Sequence, residues 1–246
     1  MAEPEIVVCK DSADLAGRAA ERFAGAAAAA AGRFAVALSG GTTPAEFYAR
    51  LGMEGSGRIA WRSVHLFWGD ERCVPPDHPQ SNYRTARESL ISKIPVPPAN
   101  VHRMAGEEEP SAAAAAYERE LRGFFRPPPG QPPRFDLIFL GVGEDGHIAS
   151  LFPGSAALRE AERWVLSTFV ESAGAHRLTL TLPVINGAAR VIFLVKGASK
   201  AEIVGRVLGA RRGSPDLPAA LVRPRHGSVT WLVTRDAARR LVCVGG

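Results

Sequence analysis

The stretch FDLIFLGVGEDGHIASLFPG, Phe135 to Gly154, opens with FDLIFL, which reads as a strand buried on both faces, and then breaks into glycines. Gly141, Gly143 and Gly146 satisfy G-x-G-x-x-G, the spacing that lets a backbone approach a dinucleotide pyrophosphate. The full fingerprint asks for more: an unbroken helix after the glycines and an acidic residue about 20 positions on, at the end of the next strand. Pro153 interrupts any helix soon after Gly146, and Glu160 and Glu162 fall inside LREAERW, before the next apparent strand, where neither can meet a ribose. A nicotinamide or flavin is therefore not expected. What the fingerprint leaves unexplained is His147, set among glycines two positions after Asp145. An imidazole titrates near neutral pH and suits general-base work; the bland alternative is a histidine simply hydrogen-bonded in a loop.

Outward from this stretch the same rhythm repeats. EIVVC reads as a strand, and SADLAGRAAERFAGAAAAAA as a helix capped by Ser or Asp whose alanine face packs closely on a sheet. FAVAL runs into SGGTTP and then a helix with Pro44 in its first turn, and VHLFW into a charged loop followed by the helix SNYRTARESLI, capped by Ser81 or Asn82. SAAAAAYERELRGFF is a helix, RPPPGQPPR a loop, RLTLTL a strand leading to a short helix at Pro183, and RVIFLV and SVTWLV are strands each followed by a helix. Strands alternating with helices predict an α/β fold: a mostly parallel, Rossmann-like sheet with helices on both faces, here as one domain over residues 1–246. In such sheets ligands bind beyond the carboxyl ends of the strands, so the loops after AVAL, LFW, LIFL and IFLV are where chemistry is expected.

In the first of these loops Ser39, Gly40, Gly41, Thr42 and Thr43 have the make-up of a phosphate nest, with glycines for close approach and hydroxyls at a helix N-terminus. The Walker A spacing and its lysine are missing, so a nucleoside triphosphate is not indicated, and a plain strand-to-helix corner is the alternative. Gly69-Asp70-Glu71-Arg72 places two carboxylates and a guanidinium at a strand end, which reads either as recognition of anionic oxygens or as a surface ion pair. Arg177 begins RLTLTL, and Lys196 and Lys200 flank the tip of VIFLV. Lys200 falls in the first turn of a helix, where a cation opposes the dipole unless an anion binds there.

Composition narrows the classes. No apolar run approaches the roughly 18 residues a membrane helix needs, so no membrane is expected. The acidic start MAEPEIVVCKDSAD does not read as a secretory signal, and the mature chain is expected to begin at or near Met1. Cys9, Cys73 and Cys243 lie far apart without a C-x-x-C pair, so neither disulfides nor structural zinc are expected and a reducing cytoplasm is the expected home. The net charge is +5, but the basic residues are scattered; the small clusters at Ala210 to Arg212 and at Arg239 and Arg240 are expected on solvated helix ends, and nucleic acid is not an expected partner.

Taken in order, LSGGTTP, WGDER with SNYRTARESL, LGVGEDGHIASLFPG, RLTLTLPVIN, KGASKAEI and GSVTWLVTRDAA resemble the 6-phosphogluconolactonases across nearly the whole chain. The resemblance implies a cytosolic enzyme of the oxidative pentose phosphate pathway that hydrolyses 6-phospho-D-glucono-1,5-lactone without metal or organic cofactor. It implies that the Ser39 to Thr43 loop, Arg177 and Lys200 hold the 6-phosphate, with Lys196 near them. It also implies that His147 is the general base and that Asp70 and Arg72 lie at the reacting end, with Asp145 or Asp70 orienting the imidazole. The related glucosamine-6-phosphate deaminases are the alternative; they place DEY at Asp70 to Arg72 and Asn-Glu-Pro where this chain reads Ser150-Leu151-Phe152-Pro153, which favours the lactonase. A sugar-phosphate sensor of the same fold would need a DNA-binding segment, for which the stretches before Glu5 and after Leu241 are expected to leave no room. A monomer is expected.

Overall fold

The computed structural model describes residues 3–54, 57–209 and 216–241. The chain runs through β1 (Glu5–Cys9), α1 (Ser12–Ala29), β2 (Phe34–Leu38), α2 (Thr42–Glu54), β3 (Val64–Trp68), β4 (Asp70–Arg72), α3 (Asn82–Ser89) and α4 (Pro110–Phe125). It continues through β5 (Leu137–Leu140), β6 (Val165–Val170), β7 (Ala175–Leu180), α5 (Leu182–Ile185), β8 (Arg190–Val195), α6 (Ala201–Leu208), β9 (Ser228–Thr234) and α7 (Arg235–Ala238). Six strands form one sheet in the order β1-β9-β8-β5-β2-β3, with every pairing parallel. Helical crossovers cover its faces, which is why β2 and β5 in its middle are buried along their whole length.

Small residues let the helices come close. The inward face of α1 carries Ala16, Ala19, Ala20 and Ala26 beside Leu15 and Phe23, and Phe23 meets Phe34 of β2 edge-on at 5.3 Å between centroids. Asp11 caps α1 by accepting from the Asp14 amide at 2.9 Å, an interaction worth about 1 kcal/mol. The helix ends at Ala29, two residues short of the predicted alanine run, because Ala30 is already extended. At the other side of the sheet Phe193 of β8 and Trp231 of β9 stack at 3.9 Å.

RLTLTL adds an antiparallel part to the mostly parallel fold: its first four residues end β7, which pairs antiparallel with β4 and with β6 in a separate three-stranded sheet, order β4-β7-β6. Neither β6 nor β4, which falls on the expected charged loop, shows as a strand in the sequence. β4 has three residues, too few to show a period, and the polar Ser167 and Thr168 break up the apolar pattern of β6. The tight turn at Glu171–Ala173 and Gly174 that joins β6 to β7 is what makes the pair a hairpin. The basic cluster at Ala210 to Arg212 and Cys243 lie outside the described residues, while Arg239 and Arg240 follow α7 and are exposed, as expected.

Away from the strand ends, His65 on β3 hydrogen-bonds His102 (Nδ1 to Nε2, 3.0 Å), and His102 in turn meets Glu120 of α4 (Nδ1 to Oε1, 2.6 Å). Burial, helped by the charges of His102 and Arg33, pushes the His65 imidazole down from 6.5 to about 4. A base whose folded value is depressed contributes stability that is complete above its unfolded value, and here that contribution fades as pH falls from 6.5 towards 4. Urea midpoints are therefore expected to drop between neutral pH and about pH 5, and less so in His65→Gln, which keeps a hydrogen-bonding side chain but does not titrate. Equal drops in both proteins would remove His65 from the acid response.

Candidate active site

An open cleft of about 240 Å³ lies beyond the carboxyl ends of β2, β3, β5 and β8, where the topology predicts it. Ser39, Gly40, Gly41, Thr42, Thr43, Asp70, Arg72, His147, Arg177, Lys196 and Lys200 all line it, so eleven of the twelve residues singled out in the sequence converge here. The twelfth, Asp145, sits behind His147 and touches it rather than the cleft.

The nest is built from both ends. Tyr48 of α2, fully buried, accepts from the Ser39 amide at 2.9 Å and donates to the Ser39 carbonyl at 2.7 Å, which pins the chain as it leaves β2. Thr42 and Thr43 then open α2, with Pro44 in its first turn as expected, so both line the cleft at a helix N-terminus. Gly40 runs so close to Asn82 that a Cβ there would fall 1.8 Å from Asn82 Oδ1.

The charged segment after β3 divides its labour. Glu71 is buried and accepts from the amides of Asn82 (2.7 Å), Tyr83 (2.8 Å) and Arg72 (2.8 Å) and from Ser81 Oγ (3.1 Å). It anchors the start of α3. Burial raises its pKa, and those amide bonds oppose the rise. Asp70, also buried, accepts from Asn82 Nδ2 at 3.2 Å and from Ser150 Oγ at 2.8 Å. The surface ion-pair alternative for this segment thus fails: both carboxylates are inside and are satisfied by amides and hydroxyls. Neither Asn82 nor Ser150 was picked out by function in the sequence, because each acts through a neighbour that only the fold supplies.

Arg72 and Arg177 face each other across the β4–β7 pairing. Arg72 donates from Nη1 to the Gln80 carbonyl at 2.7 Å, and the Nε atoms of both arginines are buried without a partner among the described residues. Burial, and then the neighbouring Arg72 charge, lowers the Arg177 pKa. Two adjacent guanidinia with unmet donors are costly in an empty cleft and favourable around an anion. Lys200 lies just ahead of α6 and has no carboxylate partner among the described residues, whereas Lys196 is held by Glu46 of α2.

His147 is held by Asp145: Nδ1 lies 2.6 Å from Asp145 Oδ1, which also accepts from the His147 amide at 3.1 Å. Burial pushes the Asp145 carboxyl up, but the His147 amide, the imidazole charge and its Nδ1–H together outweigh this and leave it lowered. An ionised Asp145 keeps the neutral ring's proton on Nδ1, so Nε2 carries the lone pair. Of the two carboxylates left open by the sequence, Asp145 orients the imidazole. The fingerprint glycines also acquire a purpose here: a Cβ on Gly143 would sit 2.1 Å from His147 Nδ1, so the glycine makes room for an imidazole rather than for a pyrophosphate.

The family described as glucosamine-6-phosphate isomerases/6-phosphogluconolactonase matches residues 10–231. The chain belongs to this family. The 6-phosphogluconolactonase of Synechocystis sp. is 42% identical over 211 residues, 85% of each chain. The solved 6-phosphogluconolactonase of Trypanosoma brucei superposes with a TM-score of 0.86 at 30% identity over 98% of this chain and 99% of that one. A monomeric glucosamine-6-phosphate deaminase superposes with a TM-score of 0.81 at 22% identity over 96% of this chain and 99% of its own, a likeness of fold. Among the described residues of this family member no helix is long and apolar enough to cross a membrane.

Proposed function

We propose that this chain is a 6-phosphogluconolactonase, hydrolysing 6-phospho-D-glucono-1,5-lactone to 6-phosphogluconate in the oxidative pentose phosphate pathway. The observation that carries this reading is the Asp145–His147 pair, which presents a basic Nε2 in a cleft otherwise furnished for an anion. A lactone is already an activated ester, so its hydrolysis needs an aimed water, a base and donors for the oxyanion, with no covalent nucleophile. His147 Nε2 takes a proton from water as it attacks C1; Asp145 stabilises the resulting imidazolium, which returns the proton to the ring oxygen as it leaves. Arg72 stabilises the oxyanion that develops on the carbonyl. The Ser39 to Thr43 nest, Arg177 and Lys200 hold the 6-phosphate, with Lys196 at the edge under the restraint of Glu46, and this remote binding keeps C1 in register. Asp70, tied to Asn82 and Ser150, shapes the wall at the reacting end. The enzyme is proposed to work as a cytoplasmic monomer without metal or organic cofactor.

The deciding experiment follows freshly generated 6-phosphogluconolactone against its spontaneous hydrolysis, with ammonia release from glucosamine 6-phosphate measured in parallel. Acceleration of the first alone supports the proposal; ammonia release alone transfers the chain to the deaminase branch. Arg177→Ala is expected to raise KM roughly 10- to 100-fold, the worth of one charge-assisted contact to phosphate, with a smaller change in kcat. A loss confined to kcat would move Arg177 away from the phosphate.

A further inference from the structure

Ile148 and Leu151 exchange backbone hydrogen bonds (Ile148 N to Leu151 O, 3.3 Å; Leu151 N to Ile148 O, 2.8 Å), with Ala149 in the left-handed region at φ +46°. The tight turn brings the chain back on itself, so that Phe152 returns over His147 with ring centroids 4.3 Å apart and planes 30° from parallel. The same ring has the Arg177 guanidinium 5.9 Å from its centroid. Phe152 is absent from the cleft wall, so it acts on the cleft through the side chains it touches, His147 above all.

We propose that Phe152 is a positioning residue for the base, its ring face fixing the plane of the His147 imidazole and stabilising the imidazolium formed during turnover. The inference rests on the reading of His147 as the base. The Asp145 bond fixes the imidazole at one edge, yet leaves the ring free to twist about that bond, and the second side-chain torsion of histidine is intrinsically broad. A stacked ring removes that freedom. The electrostatics act in the same direction. Around His147 stand Asp145 on its own loop, Asp70 and Arg72 on β4, Arg177 on β7, Lys200 ahead of α6, and Lys196 after β8 with its partner Glu46 on α2. Asp145 favours a positive imidazole, while Arg72, Arg177 and Lys200, which have no carboxylate partner among the described residues, oppose it. The negative face of an aromatic ring offsets part of that opposition.

The test compares Phe152→Leu, which keeps apolar bulk but removes the π face, with Phe152→Tyr, which keeps both. The readouts are an NMR titration of the labelled His147 ring and lactone kinetics. In Phe152→Leu the midpoint at which the imidazole signals move is expected to fall by about half a pH unit. Its kcat is expected to fall about 3- to 10-fold with KM within about twofold. Phe152→Tyr should restore wild-type behaviour in both. If Phe152→Leu titrates and turns over like the wild type, or if a folded Phe152→Tyr loses as much as Phe152→Leu, the assignment is overturned. Should Phe152→Leu not fold, Phe152→Met carries the same expectation. The titration needs no turnover, so a wild type that leaves lactone hydrolysis unaccelerated refutes the lactonase reading while the stack is still decided by the imidazole signals.

Discussion

His147→Ala is expected to lower kcat for lactone hydrolysis by roughly 10²- to 10⁴-fold, the usual worth of a positioned general base, while KM changes little. The split follows from where the contacts are. The nest is anchored by Tyr48, and Arg177 and Lys200 reach the cleft from other elements, so none of the groups assigned to the phosphate depends on the imidazole. Only the proton transfer from water is lost. Added imidazole is expected to restore part of the rate, because the truncated side chain leaves a space beside Asp145 and Phe152. Steady-state kinetics corrected for spontaneous hydrolysis measure this directly, and a kcat within about threefold of wild type would remove His147 as the base.

Gly143→Ala is expected to approach the same loss without touching a reactive group. The added methyl would fall 2.1 Å from His147 Nδ1, 2.3 Å from Cε1 and 2.4 Å from Asp145 Oδ1, directly across the bond that orients the base. The backbone has little freedom to yield, since the Gly143 amide donates to the His147 carbonyl at 2.9 Å and the Gly143 carbonyl accepts from the Gly146 amide at 3.0 Å. The imidazole must therefore move, off Asp145 and off Phe152 together, and misplacement of a reacting group by about 1 Å costs on the order of 10²-fold in rate. Gly141→Ala is the control, because a Cβ there meets nothing within 4 Å. A dinucleotide loop would need both glycines, whereas this loop needs Gly143. Comparable losses at the two positions, with circular dichroism showing both variants folded, would count against the steric account.

Much of this was legible from spacing and residue type. The buried strands, the glycine nest, the failure of the dinucleotide fingerprint at Pro153 and the choice of His147 all rest on local chemistry, which a linear sequence displays. The antiparallel sheet was not legible. A three-residue strand has no readable period, and the partners of β4 and β6 lie on β7, more than a hundred residues from Asp70 in one case. Glu71 shows the same limit: beside Asp70 and Arg72 it looks like a third functional charge, and only the position of α3 turns it into an anchor for the Asn82 and Tyr83 amides.

The sequence by itself thus determined the fold class and pointed to the loops that line the cleft and to His147 as the candidate base, because strand burial, glycine turns and imidazole basicity are properties of short segments. Tertiary structure alone decided which carboxylate orients His147, that Arg72 and Arg177 stand side by side, that Asn82 and Ser150 hold Asp70, and that Phe152 covers the imidazole. Those are distances between atoms, and most of them join elements far apart in the chain; each is set by how sheets and turns pack, and packing is a property of the whole molecule.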